Sequence, residues 1–327
     1  MNSMEFIKEK QHCWAQRKGL ELVPGTIGSN GEKDYVNEID QNLFEPLSEE
    51  NITYYNQGDG SETQDDKGTR AKMKALFSSS ALVVNVFQYW QKRDVRPLLH
   101  ALNLPLQGLP TGDEGDVSSK TICASTETSR PLCFDKIKFE EKFPIFPNRI
   151  GPNMDAVIYG DYDIAIESKF LEPYYNHGKS ENKGMKEAYL KEASLWDGLP
   201  NLYELAKEMS VHNNMFRYLD AAQLIKHILG LNKKYNKSVD PSARNSSEQT
   251  LKDATQKHEF YLVYLWYNVP EEDGTVHKEE IEQFAKIVAK DNIHFKHITY
   301  QEVINNLKRE SYEGNEAYLD YLTDRYL

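Results

Sequence analysis

The chain has 327 residues and a formal net charge of −12, which excludes a polybasic nucleic-acid coat but leaves room for a local basic groove. Hydrophobic residues make up 39 %, with 20 Tyr and 13 Phe, enough core material for one large domain or two of ordinary size. The three cysteines, Cys13, Cys123 and Cys133, have no paired spacing, so reduced thiols are expected rather than a disulfide framework or zinc site. The start lacks the apolar run of a signal peptide. No stretch approaches the roughly 20 apolar residues of a membrane span, so a soluble, cytoplasmic protein without a membrane partner is expected.

In chain order, Met4 to Lys18 reads as a helix with Phe6, Ile7 and Trp14 as candidate buried positions. Glu45 to Gly68 is polar and rich in Gly and Asp, the chemistry of a surface loop or flap. Ser78 to Ser80 can cap a helix over Ala81 to Trp90, whose apolar residues surround most of its circumference, so it is expected to be buried against a sheet. A shorter helix follows over Arg96 to Leu102, and Gln107 to Arg130 reads as a loop insertion. Phe134 to Phe143 is a predicted strand, with Ile137, Phe139 and Glu141 on one side and Lys138 and Glu140 on the other. Helices are predicted over Met185 to Leu195 and Leu199 to Met209. Asn213 and Asn214 can cap another over Met215 to Gly230, where the glycine serves as a stop. Asn232 to Lys257 is a polar loop; Phe260 to Tyr267 is the unbroken aromatic and β-branched run of a central strand. Glu279 to Ala289 is an amphipathic helix, Phe295 to Tyr300 an edge strand, and Gln301 to Lys308 and Glu316 to Tyr326 are closing helices.

The stretch Asn153 to Phe170 carries the chemistry. It reads as two strands joined near Gly160-Asp161, with Asp155 on the first and Glu167 and Lys169 on the second. Glu167 and Lys169 are two apart and so share a face. A tip of Gly160-Asp161-Tyr162 would set Asp155 opposite Glu167; a two-residue tip would set it opposite Ile166. Glu-x-Lys is a cheap pattern and recurs at Glu140/Lys142 and Glu181/Lys183, but only Glu167/Lys169 sits on an apolar strand preceded by an acidic one. Two carboxylates and the backbone carbonyl of Ser168 are the hard oxygen donors that Mg²⁺ prefers, and Lys169 could orient a water or stabilise negative charge. A solvated surface hairpin is the plain alternative.

Pro152-Asn-Met-Asp155 followed by Ile166-Glu-Ser-Lys169 resembles the Asp…Glu-x-Lys motif of the PD-(D/E)xK nuclease superfamily. Lys72 to Asn85 and Tyr218 to His227 are similar to a restriction-endonuclease-like branch of it. The resemblance spans roughly residues 70–300 and implies an α/β fold, a central mixed sheet flanked by helices in the order αβββαβ. It implies residues 70–327 as the nuclease-like domain, with insertions near 107–130 and 232–257, and residues 1–69 as an extension packed on it. It further implies a metal-dependent nuclease acting on DNA, restriction-type or defensive, with Asp155, Glu167 and the Ser168 carbonyl holding Mg²⁺ (Mn²⁺ able to substitute). Lys169 would be catalytic, and the resemblance suggests Gln223 as a helix glutamine and Glu140 as a further acid, with Glu62 a weaker choice. A homodimer is expected if both strands are cut. A repair or recombination nuclease, and a non-catalytic nucleic-acid-binding protein that keeps the fold, remain alternatives. His227, one turn beyond Gln223, is placed to reach the same cleft, whereas His100, His294 and His297 read as structural. The lysines over 179–186 and 233–237 suit phosphate contacts or a solvated face equally.

Overall fold

The computed structural model describes residues 2–57, 61–104, 134–147, 149, 151–175, 184–212, 214–235, 259–310 and 314–327. Cys123 and Cys133, the 107–130 insertion, Glu181/Lys183 and most of 232–257 lie outside the described residues. Among the rest, Cys13 is an exposed free thiol. No helix among the described residues is long and apolar enough to cross a membrane.

Five strands lie side by side in chain order: β1 (Phe134–Lys142), β2 (Asn153–Gly160), β3 (Asp163–Lys169), β4 (Phe260–Trp266) and β5 (His294–Thr299). The first three form an antiparallel meander, and β3–β4 and β4–β5 are parallel. Antiparallel neighbours need only a short turn, whereas parallel ones need a crossover, and the helices supply it. The described helices are α1 (Ser3–Arg17), α2 (Glu49–Asn56), α3 (Ser79–Phe87), α4 (Arg96–Ala101), α5 (Glu187–Leu190), α6 (Pro200–Val211), α7 (Ala221–Tyr235), α8 (Glu271–Ala289), α9 (Tyr300–Arg309) and α10 (Glu316–Tyr326).

The sheet separates two apolar layers. Ile137, Phe139, Ile158, Ile164, Ile166 and Val263 pack with α3, α4, α9 and α10 on one side. Val157, Ala165, Leu262 and Tyr264 pack with α6, α7 and α8 on the other. Covered on both faces, β4 needs apolar residues at every position, which is why its sequence runs without alternation. The first helix of the core, α3, is capped by the Ser78 hydroxyl accepting from the Ala81 N–H at 3.2 Å, and Ala81 to Phe87 are all buried.

Its one buried carboxamide is tied down. Asn85 Nδ2 donates to the Asn42 carbonyl at 3.1 Å and to the Tyr326 hydroxyl at 3.0 Å, while its Oδ1 accepts from the Phe44 N–H at 2.7 Å. Next to it Arg325, 1 % exposed, donates to both the carbonyl and Oδ1 of Asn42 and to the Leu76 carbonyl, and lies 4.0 Å from the Trp14 ring. A buried guanidinium with no carboxylate partner among the described residues is thus satisfied by carbonyls, amides and an aromatic face.

Four expectations are corrected. The helix expected over Met185 to Leu195 is only the single turn Glu187–Leu190, followed by a 3-10 turn over Ala193–Trp196. The polar 45–68 segment contains α2, with the Ser48 hydroxyl accepting from the Asn51 N–H at 3.2 Å and Tyr55 stacked on Phe139 at 5.8 Å between centroids. The Met215 to Leu219 stretch is no helix: the N–H groups of Arg217, Tyr218 and Leu219 converge on the Glu280 carboxylate at 2.6, 2.8 and 2.9 Å. The helix begins after Asp220, whose Oδ1 accepts from the Gln223 N–H at 2.8 Å, and it runs through Gly230 to Tyr235. The glycine is there for proximity, since a Cβ would meet the Phe143 carbonyl oxygen at 2.7 Å.

Candidate active site

The hairpin tip is three residues long. Ala156, Val157 and Ile158 pair with Ile166, Ala165 and Ile164, a register that sets Tyr159 opposite Asp163 and Asp155 opposite Glu167. On the other side of β2, Phe139 pairs with Ala156 and Glu141 with Met154, so Glu140 falls opposite Asp155. Glu140, Asp155 and Glu167 therefore form one row across three adjacent strands, which are spaced about 5 Å apart in any sheet.

At this row both ladders give way. Glu140 adopts φ 53°, a left-handed conformation unusual for a residue with a Cβ, so the side alternation expected along β1 breaks there. Between β2 and β3 the Asp155 Oδ2 accepts from the Ser168 N–H at 2.6 Å, taking the place of a strand carbonyl. In an extended strand the carbonyl of a residue faces the same side as its N–H, so the Ser168 carbonyl opens toward Asp155.

Glu167 is 1 % exposed and sits between two basic groups. Lys169 Nζ lies 2.5 Å from its Oε1, and His227 Nε2, from α7, lies 2.8 Å from its Oε2. Neither contact is aligned as a straight hydrogen bond: both carboxylate oxygens and both ring nitrogens of His227 are buried without a directional partner. Lys169 retains 15 % side-chain exposure and so connects the pair to solvent.

Environment drives these groups apart. Burial pushes the Asp155 carboxyl well above the usual range, and the charge of Glu167 adds to it, against Lys169. Burial would raise Glu167 too, but the Lys169 and His227 charges outweigh it and hold the carboxyl below its ordinary value. For Lys169, burial disfavours the ammonium, but Glu167, Glu172 and Asp155 overcome it and raise the pKa. Glu140 is pushed up to about 7 by burial first, then by Glu62 and Glu167. Two neighbouring carboxyls with opposite shifts are a common mark of acid–base or metal-binding sites.

Glu62 accepts from the Ser80 hydroxyl at 2.9 Å and from Lys72 at 3.1 Å, and it lines a 430 Å³ cavity with Leu171 and Glu172 next to this row. Asn153 donates its side-chain amide to Glu140. Among the described residues, no three His, Cys, Asp or Glu side chains form a ready cage for an ion. Two carboxylates and one backbone carbonyl leave several positions for water, which is what Mg²⁺ retains in protein sites, and the oxygens of Glu167, ion-paired but without a directional hydrogen bond, suit such a hard cation.

Gln223 is half-buried on α7, one turn before His227 on the same face, and no side-chain hydrogen bond among the described residues joins it to Asp155, Glu167 or Lys169. His227 is the group that reaches Glu167. The available signal was its position four residues after Gln223 on an apolar helix face. Elsewhere, His100 and His294 stand 3.8 Å from Glu310 and Glu259, Lys233 donates to the Ile145 carbonyl, and Lys234 lies over the Phe143 ring.

A mixed five-stranded sheet flanked by helices, with these acids and the lysine at the parting of its central strands, is a restriction-endonuclease-like fold. The chain belongs to a restriction endonuclease family: the model of a "Restriction Endonuclease associating with ARP" matches residues 8–327. No curated protein and no solved structure matches it.

Proposed function

We propose that the chain is a Mg²⁺-dependent endonuclease that hydrolyses DNA phosphodiester bonds as a restriction-type or defence enzyme, with Mn²⁺ able to substitute. The observation that carries this reading is the register that sets Asp155 opposite Glu167, with Lys169 on the same strand as Glu167 and 2.5 Å from it. Asp155, Glu167 and the Ser168 carbonyl would hold the cation. When bound, Mg²⁺ neutralises charge on the scissile phosphate and acidifies a coordinated water.

The chain's own groups do the rest. Lys169, partly open to solvent, orients the attacking water and stabilises the charge that builds on the phosphate. The water oxygen forms a new bond to phosphorus as the bond to the leaving nucleotide oxygen breaks. Glu140, opposite Asp155 and able to carry a proton near neutrality, would receive one from that water. Gln223 would assist from α7, on the helix face that carries His227. Cutting both strands of a duplex calls for two such sites, so a homodimer is part of the proposal. The family description adds an association with ARP.

The test is incubation of the purified chain with plasmid and oligonucleotide DNA in Mg²⁺ or in EDTA. Cleavage is expected only with the metal and is expected to disappear in Glu167→Ala and Lys169→Ala proteins whose melting is cooperative. Cleavage in EDTA, or by both variants, sinks the mechanism. Cutting confined to branched or damaged substrates would move the reading to a repair nuclease.

A further inference from the structure

His227 has no part in the Asp…Glu-x-Lys pattern, yet its Nε2 lies 2.8 Å from Oε2 of Glu167. It is 0 % exposed, so it cannot touch DNA or a bulk water. Its ring lies behind the carboxylate, and Lys169 lies on the other oxygen. His227 shares its helix with the buried apolar residues Leu224, Ile225, Ile228 and Leu231, and burying an imidazole there costs free energy that a polar partner must offset.

We propose that His227 is a positioning residue that braces Oε2 of Glu167, so that the carboxylate presents a fixed edge to the cation. The inference rests on the metal-dependent reading above. Lys169 cannot serve as the brace, because in that reading its ammonium is needed at the water and phosphate. With the lysine turned to that work, the imidazole is the group left to hold the buried carboxylate from behind. Without such a partner the carboxylate would be free to rotate. The helix supplies the rigidity: α7 rests on the end of β1 at Gly230, three residues further on.

The experiment measures Mn²⁺ binding to the full chain by calorimetry without DNA, then cleavage kinetics. His227→Leu, which keeps volume and removes the nitrogens, should weaken Mn²⁺ binding about 10- to 100-fold, as loss of partners behind metal ligands commonly does. It should lower kcat while leaving KM for DNA within about threefold, because His227 is remote from solvent. His227→Gln, which restores a nitrogen near the Nε2 position, should recover binding to within about threefold; His227→Asn, which is too short, should not. Should the Leu variant fail to fold, the Gln and Asn pair still decides. Equal Mn²⁺ affinity in wild-type, Leu and Asn proteins, or in the Gln and Asn pair, overturns the brace. Absence of any Mn²⁺ binding or cleavage by the wild-type chain overturns instead the nuclease reading on which it rests.

Discussion

The Asp155 carboxylate accepts a hydrogen bond from the Ser168 backbone N–H at 2.6 Å, across the point where the β2–β3 ladder stops. A side chain has replaced a strand carbonyl there. The residue that stitches the two strands together is also the one that the register sets opposite Glu167.

Asp155→Asn keeps an acceptor for that N–H and removes the charge. The expected outcome is a cooperative fold with cleavage reduced on the order of a hundredfold or more, equivalent to about 2.7 kcal/mol of transition-state stabilisation. Thermal melting and single-turnover cleavage check both halves. Melting preserved together with wild-type cleavage would remove Asp155 from the site.

Glu140 gives a pH dependence with a definite sign. Its carboxyl rises from 4.5 to about 7 on folding, so between those values the folded chain holds a proton that the unfolded chain has lost. Stability contributed by this group is therefore present below pH 4.5 and is lost as pH rises through about 7. Glu140→Gln should abolish that loss, making the metal-free variant more stable than wild type at pH 8 by on the order of 1–3 kcal/mol, with the difference fading toward pH 5. Urea unfolding across this pH range in EDTA measures it; a pH-independent difference would show that Glu140 ionises normally in the fold.

Arg325 is expected to be a keystone of stability. Arg325→Met leaves the Asn42 and Leu76 carbonyls without the guanidinium that satisfies them, at a cost of about 3–5 kcal/mol. Arg325→Lys should recover little of it, because one ammonium cannot span Gln11, Asn42, Leu76 and Tyr321. Chemical denaturation of both variants tests the point.

Gly230→Ala opposes two effects. Alanine gains up to about 1 kcal/mol in helix propensity, but its Cβ would stand 2.7 Å from the Phe143 carbonyl oxygen and 2.9 Å from the Phe143 Cβ. Backbone cannot yield as a flexible side chain does, so overpacking of about 1–3 kcal/mol should win and the melting temperature should fall. A rise in melting temperature would mean that the helix shifts freely on the strand.

Much of this was legible because the signals were local. The unbroken Phe260 to Trp266 run, the serine cap of α3 and the Glu316 to Tyr326 helix each depend on neighbouring residues alone. That Asp155 and Glu167 lie on paired strands was legible for the same reason, but whether they stand opposite each other depended on the tip length, which the structure shows to be three residues. What the sequence hid depends on distant partners. The start of α7 is displaced because Glu280 captures three backbone N–H groups from 62 or so residues away. Helix α2 hides in a polar segment because its stabilising contact, Tyr55 on Phe139, comes from a strand much later in the chain. His227 was outweighed by Gln223 because only the packing of α7 on the sheet reveals which of two residues on one face reaches the carboxylate.

The glycine at position 230 then bears on chemistry that it never touches. Gly151 closes on the same Phe143 carbonyl from the other side, so the helix and the β1–β2 connection grip one peptide group between two residues that have no side chains. Three residues before Gly230 on the same helix, His227 lies 2.8 Å from Glu167. A residue without a side chain thus lets α7 lie against the end of β1, one turn from the imidazole that meets the buried acid.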